Sequence, residues 1–143
     1  MHHAEPELKE DCVFCSINFG SSPSYKVFED DHHLAFLDIN PIVKGHTLVI
    51  PRKHFDVLID MDEESIGELF RAVAKIASKV VLGVQADGFR LIQNNGEAAA
   101  QVVKHVHVHI IPLKLGQKNV FLNRSKPAKE ELERTAEEIR RAF

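Results

Sequence analysis

One stretch constrains this chain more than any other: Lys104-His105-Val106-His107-Val108-His109-Ile110-Ile111-Pro112. Three histidines alternate with apolar, mostly β-branched residues. On a β-strand, successive side chains point to opposite faces. His105, His107 and His109 therefore share one face, and Val106, Val108 and Ile110 share the other. The apolar face packs on a core. The imidazole face lines a cleft, binds metal or does chemistry. Helical spacing would scatter the three rings around the axis. A solvated polar face is the plain alternative, and strict alternation into a hydrophobic strand end argues against it. Pro112 ends the run or sits where no ladder N–H is needed.

The rest of the chain must supply a core for that strand. At 143 residues, with 44% apolar and 27% charged residues, it suits one domain over 11–143, preceded by a polar, mobile tail over 1–10. Its formal charge is only −3, with Lys and Arg scattered, so it carries no footprint for nucleic acid. No apolar run reaches the length of a membrane span and no signal peptide heads the chain, so the expected location is the cytoplasm. There, Cys12 and Cys15, spaced Cys-x-x-Cys, favour a metal knuckle or a redox pair over a structural disulfide. A zinc ion on that knuckle needs two further ligands.

Tyr25–Glu29 and His33–Asp38 read as two strands of a hairpin turned at Asp30-Asp31. His32 and His33 read as a turn pair with no chemistry. A third strand lies within Gly45-His46-Thr47-Leu48-Val49-Ile50-Pro51, with Gly45 allowing a sharp entry or close backbone approach. Asp60 or Asp62 caps a long helix from about Glu63 to Val84, whose apolar positions recur at i, i+3, i+4, i+7. Gly88–Asn94 is a fourth strand running into an Asn-Gly turn, and a fifth runs from roughly Val102 to Pro112. After a loop over Lys114–Arg124, Ser125 and Pro127 open a final helix. The expected fold is α+β: a five-stranded antiparallel sheet with a long central helix and a C-terminal helix.

Two chemistries suit the histidine face. A neutral imidazole is a good nucleophile toward phosphorus near neutral pH. His107, flanked on both sides, is the best-placed nucleophile, with Asn94, His46 and the backbone near Gly96–Gln101 to orient it or hold phosphate oxygens. Alternatively, three histidines on a strand hold a catalytic zinc. Against this, like-facing strand positions are about 7 Å apart, too wide for three in a row to converge on one ion.

At this point the residues resemble a known family, the histidine triad nucleotide hydrolases and transferases. The blocks that carry the resemblance are His105 to Ile111, Asp38-Ile39-Asn40-Pro41, Gly45 to Pro51, the Asn94-Asn95-Gly96 turn and Gln101. The resemblance implies a sheet paired across a homodimer and a purine nucleotide substrate of the AMP or GMP type, cleaved at its α-phosphate. His107 matches the family nucleophile that is transiently nucleotidylated. His109 and His46 match histidines that bracket it and contact phosphate, and Asn94 a phosphate-site asparagine. Asp38 matches the carboxylate that holds the ribose hydroxyls, and Ile39 a residue against the base. Gln101 is counted with the nucleotide-binding residues. In members with an N-terminal Cys-x-x-Cys, a structural zinc is held by residues that map to Cys12, Cys15, His54 and His105. Ala100 and Val102 depart from the family pattern, which has Gly before the glutamine and Ser or Thr after it. That hydroxyl usually helps the leaving group, and Val102 lacks it. The substrate class implied is a nucleoside phosphoramidate or a diadenosine polyphosphate. The alternative function is a non-catalytic nucleotide-binding scaffold dimer.

Overall fold

The computed structural model describes residues 11–117 and 123–143, so the expected tail over 1–10 lies outside the described residues. The elements run α1 (Val13–Asn18), β1 (Lys26–Glu29), β2 (His33–Leu37), β3 (Thr47–Pro51), α2 (Glu63–Gly83), β4 (Gly88–Ile92), β5 (Val108–Leu113) and α3 (Lys129–Arg140). All five strands form one sheet in the order β1-β2-β3-β5-β4, and every pairing is antiparallel. The expected fold class is the observed one.

Period-two side-chain alternation gives the sheet two apolar faces. Ala35, Leu37, Val49, Val106, Val108 and Ile110 pack against α2 and α3. Leu34, Phe36, Leu48 and Ile50 point the other way and pack under α1 with Phe14 and Ile17. β2 and β3 are therefore buried at every position. Each fully buried Leu or Ile there contributes about 1.5–3 kcal/mol. The register places His109 opposite Leu48 on β3 and Ile92 on β4, on the α1 side of the sheet.

The long helix starts where the sequence places it. The Asp62 carboxylate accepts the Ser65 N–H at 3.1 Å, and Glu63 and Glu64 follow in the positive first turn. Gly45, with φ of 91°, lets the chain enter β3; a Cβ there would lie 2.9 Å from Val84. The C-terminal helix begins at Lys129, later than Ser125 or Pro127, and Ala128 caps it without a side-chain bond. Among the described residues, no helix is long and apolar enough to cross a membrane.

Candidate functional site

A cavity of about 480 Å³ opens on the α1 side of the sheet. Asp38, Ile39, Asn94, His107 and His109 all line it, drawn from three separate parts of the chain. Ala100 and Val102, the two departures from the family pattern, are also on its wall. His46 is fully buried behind it, in contact with His109. Gln101 does not line the cavity. Its Oε1 accepts the Gly96 N–H at 2.7 Å and its Nε2 donates to the Asp56 carbonyl at 2.6 Å, so it ties the turn after β4 to the loop after β3.

Backbone groups decide where the ring protons sit. The His105 carbonyl can only accept, and His107 Nδ1 lies 2.7 Å from it. His107 therefore carries its proton on Nδ1 and its lone pair on Nε2. The Ile42 N–H can only donate, and it meets His46 Nδ1 at 3.1 Å. The neutral His46 then holds its proton on Nε2, which reaches His109 Nδ1 at 2.9 Å. His109 in turn keeps its own proton on Nε2. The cavity thus has one imidazole presenting a lone pair and a neighbour, 5.0 Å away between ring centroids, presenting an N–H. Burial holds these rings neutral. His46 and His109 are each lowered to about 4, and His107 is lowered in the same direction.

The first histidine of the alternation belongs elsewhere. His105 Nε2 donates to the Pro51 carbonyl at 2.8 Å, which turns the lone pair of Nδ1 toward the two cysteines. His105 Nδ1 lies 3.5 Å from Cys12 Sγ and 3.6 Å from Cys15 Sγ, and His54 Nδ1 lies 3.2 Å from Cys15 Sγ. Zn–S and Zn–N bonds of about 2.3 and 2.0 Å at the tetrahedral angle put sulfur and nitrogen roughly 3.5 Å apart. All four ligand atoms lie within 4.8 Å of one another. The donor set and spacing fit a closed, four-coordinate metal. His54 Nε2 donates to the Asp56 carboxylate at 2.6 Å, the outer contact that orients a ligating imidazole. Burial raises the Cys12 thiol to about 11. The three histidines of the alternation do not converge on one point: His105 joins the cysteines, while His109 groups with Asp38 and His46. That argues against a zinc held by the triad itself.

The HIT domain family model matches residues 20–115. This chain belongs to the HIT family. The family is the one that the histidine blocks resemble, one of nucleotide-binding proteins and hydrolases. The protein hit of Bacillus subtilis is 48% identical over 103 residues, 72% of this chain and 71% of its own. The adenylylsulfatase HINT3 of Arabidopsis thaliana is 43% identical over 107 residues, 75% of this chain and 54% of its own. Among solved structures, a hypothetical histidine triad nucleotide-binding protein from Sulfolobus tokodaii superposes with a TM-score of 0.85 at 40% identity, covering 92% of this chain and 91% of that one. A Zn-bound histidine triad family protein from Mycobacterium smegmatis gives 0.84 at 36% identity, covering 93% of each chain.

Several residues at the HIT site were not singled out by sequence reasoning. Phe14 sets its ring edge-on to His107, with centroids 5.1 Å apart, and forms part of the cavity wall. Asp56 follows His54 by two residues, so its role as an outer partner was open to local reading. Arg124 reaches the cavity from a segment 86 residues distant from Asp38, and nothing in the local sequence marks it.

Proposed function

We propose that this HIT protein cleaves a purine nucleotide at its α-phosphate through a nucleotidyl adduct on His107. The supporting observation is the hydrogen bond from His107 Nδ1 to the His105 carbonyl, which leaves Nε2 as the nucleophilic nitrogen in the cavity. Nε2 attacks the α-phosphorus, the bond to the leaving group breaks, and the departing group takes the bonding pair. The positive charge that forms on the ring is stabilised by the His105 carbonyl. His109 offers its Nε2–H to a phosphate oxygen, oriented by His46 behind it. The Asn94 side chain, which makes no hydrogen bond among the described residues, is a second donor. Water then cleaves the P–N bond, releasing nucleoside monophosphate and restoring the neutral ring. Asp38 receives the ribose hydroxyls and Ile39 lies against the base.

Cys12, Cys15, His54 and His105 hold a structural zinc in this reading. It supplies a cross-link that braces the segment leading into His107. The exposed edge of the sheet, β4, is the surface for a second copy, with Phe89 and Leu91 exposed on it.

The test is turnover of a panel of adenosine phosphoramidates and diadenosine polyphosphates by wild type and His107→Ala. The substitution is expected to lower turnover on the order of 10³-fold or more. Full activity in the variant contradicts the mechanism. A second reading, a nucleotide-binding dimer without turnover, is favoured by Val102, an apolar side chain, 90% exposed, on the cavity wall. That reading requires nucleotide binding with no product from any member of the panel.

A further inference from the structure

Phosphate is anionic, and the lining of the cavity is poor in positive charge. Apart from imidazoles, the described residues that line it include one acid, Asp38, and one base, Arg124. Arg124 lies between β5 and α3, and the chain beside it is pinned in place. The Ser125 N–H donates to the Pro41 carbonyl at 3.1 Å and its hydroxyl donates to the same oxygen at 3.4 Å. From that anchor, Arg124 Nη1 donates to Asp38 Oδ2 at 3.0 Å and to the Asn40 carbonyl at 2.8 Å. Its Nε and Nη2 hydrogens make no hydrogen bond among the described residues. They are strong, planar donors of the kind that recognises phosphate.

The acid it meets is the one a phosphate would most need shielded. Asp38 Oδ2 lies 3.7 Å from His46 Nε2, and polar atoms of Asp38, His46 and His109 all fall within 4.8 Å of one another. An unneutralised carboxylate there would repel an anion approaching the N–H of His109. Asp38 is also more than a surface partner. Its side chain is 14% exposed, and its other oxygen accepts the Asn40 N–H at 2.8 Å. The Arg124 side chain is 49% exposed, so the base is open to solvent while the acid is largely covered.

We propose that Arg124 is a substrate-binding residue of the cavity that selects nucleotides over nucleosides, by neutralising Asp38 and giving its free guanidinium N–H groups to phosphate. The proposal rests on the nucleotide reading of the cavity. A plain surface ion pair would leave ligand binding unchanged. A strut that only positions Asp38 would affect nucleosides and nucleotides alike. A plug that blocks Asp38 would weaken binding of both, so its removal would tighten both.

Calorimetric titration of the full chain with AMP and with adenosine, at low and moderate salt, separates these. Arg124→Gln is expected to weaken AMP about ten- to a hundredfold and to flatten its salt dependence. Adenosine affinity should change by less than about twofold, which also shows that the variant is folded. Arg124→Lys, which keeps the charge and loses the fork, should fall between. Equal weakening of both ligands, no change in either, or tighter binding of either overturns the proposal. If wild type binds neither ligand, the nucleotide reading falls and takes this proposal with it. If wild type binds AMP and Arg124→Gln binds it equally well, only the role of Arg124 falls.

Discussion

A main-chain carbonyl has only lone pairs to offer and a main-chain N–H only a proton, and three such groups set the histidine tautomers. The His105 carbonyl, the Ile42 N–H and the Pro51 carbonyl fix His107, His46 and His105 in turn. That arrangement works only while the rings stay neutral, which gives a pH dependence of known sign. Burial lowers His46 and His109 from 6.5 to about 4 in the folded chain. Unfolding frees both to take up protons near 6.5, so between those values the unfolded state binds more protons. Stability should therefore be full above pH 6.5 and should fall steadily as pH drops toward 4. Denaturant titrations across that range measure it. A stability that is flat or rises on acidification contradicts the buried, neutral assignment. The alternation in the sequence already separated the imidazole face from the core face. It could not tell which nitrogen carries each proton, because the deciding partners come from β3, from the loop before it and from the turn of the chain at His105.

At the scale of elements, the fifth strand is shorter than its sequence pattern. The expected strand starts at roughly Val102 and its alternation at His105, yet the ladder runs from Val108 to Leu113. The Val106 N–H is spent on the Phe55 carbonyl at 2.8 Å, and the His105 N–H on the Val103 carbonyl at 2.9 Å. The segment before β5 thus belongs to the cysteine–histidine cluster and its loop, while its side chains keep the strand's alternation. The end of α2 carries a similar lesson. The sequence places it at Val84, and the structure ends it at Gly83 with Val84 as the cap. Gln85 then takes a φ of 57°, the Gln85 N–H bonds the Leu82 carbonyl, and the Ala86 N–H bonds the Val81 carbonyl. That is a Schellman ending with a non-glycine residue in the left-handed position. Gly83 is needed elsewhere, because a Cβ on it would lie 2.7 Å from Ile139 Cα on α3. Gln85→Gly should therefore stabilise the chain by about 1 kcal/mol, visible in the denaturation midpoint. A destabilised Gln85→Gly variant would show that the strain is offset by contacts of the glutamine.

Across the whole molecule, the cysteine–histidine cluster proposed to hold zinc joins distant parts of the chain: Cys12 and His105 are 93 residues apart, and Cys15 and His54 are 39 apart. Closing such loops gives a bound ion a direct share in stability. Removing it with a chelator should lower the melting temperature by at least about 5 °C. Elemental analysis should find zinc lost in Cys15→Ser and kept in His107→Ala; the reverse pattern would return the metal to the triad. The Cys-x-x-Cys spacing supplied half of this cluster from sequence, and its other half depended on the resemblance. The sheet has a second consequence at this scale. β4 is an edge strand on which Phe89 is 48% and Leu91 42% exposed. Sedimentation should give a dimer, and replacing Leu91 with Lys should give monomers. A wild-type monomer at micromolar concentration contradicts the paired sheet. The succession of strands and helices along the chain and the apolar faces of the helices followed from periodicity; the order in which the strands lie in the sheet did not. Which sheet edge stays open followed only from the fold.

The most direct measurement is the intact mass of the protein, quenched in denaturant during turnover of an adenosine phosphoramidate. One nucleotidyl group is expected on wild type, located on the peptide that contains His107, and none on His107→Ala. Turnover by wild type with no adduct, or with the adduct on any other residue, would contradict it.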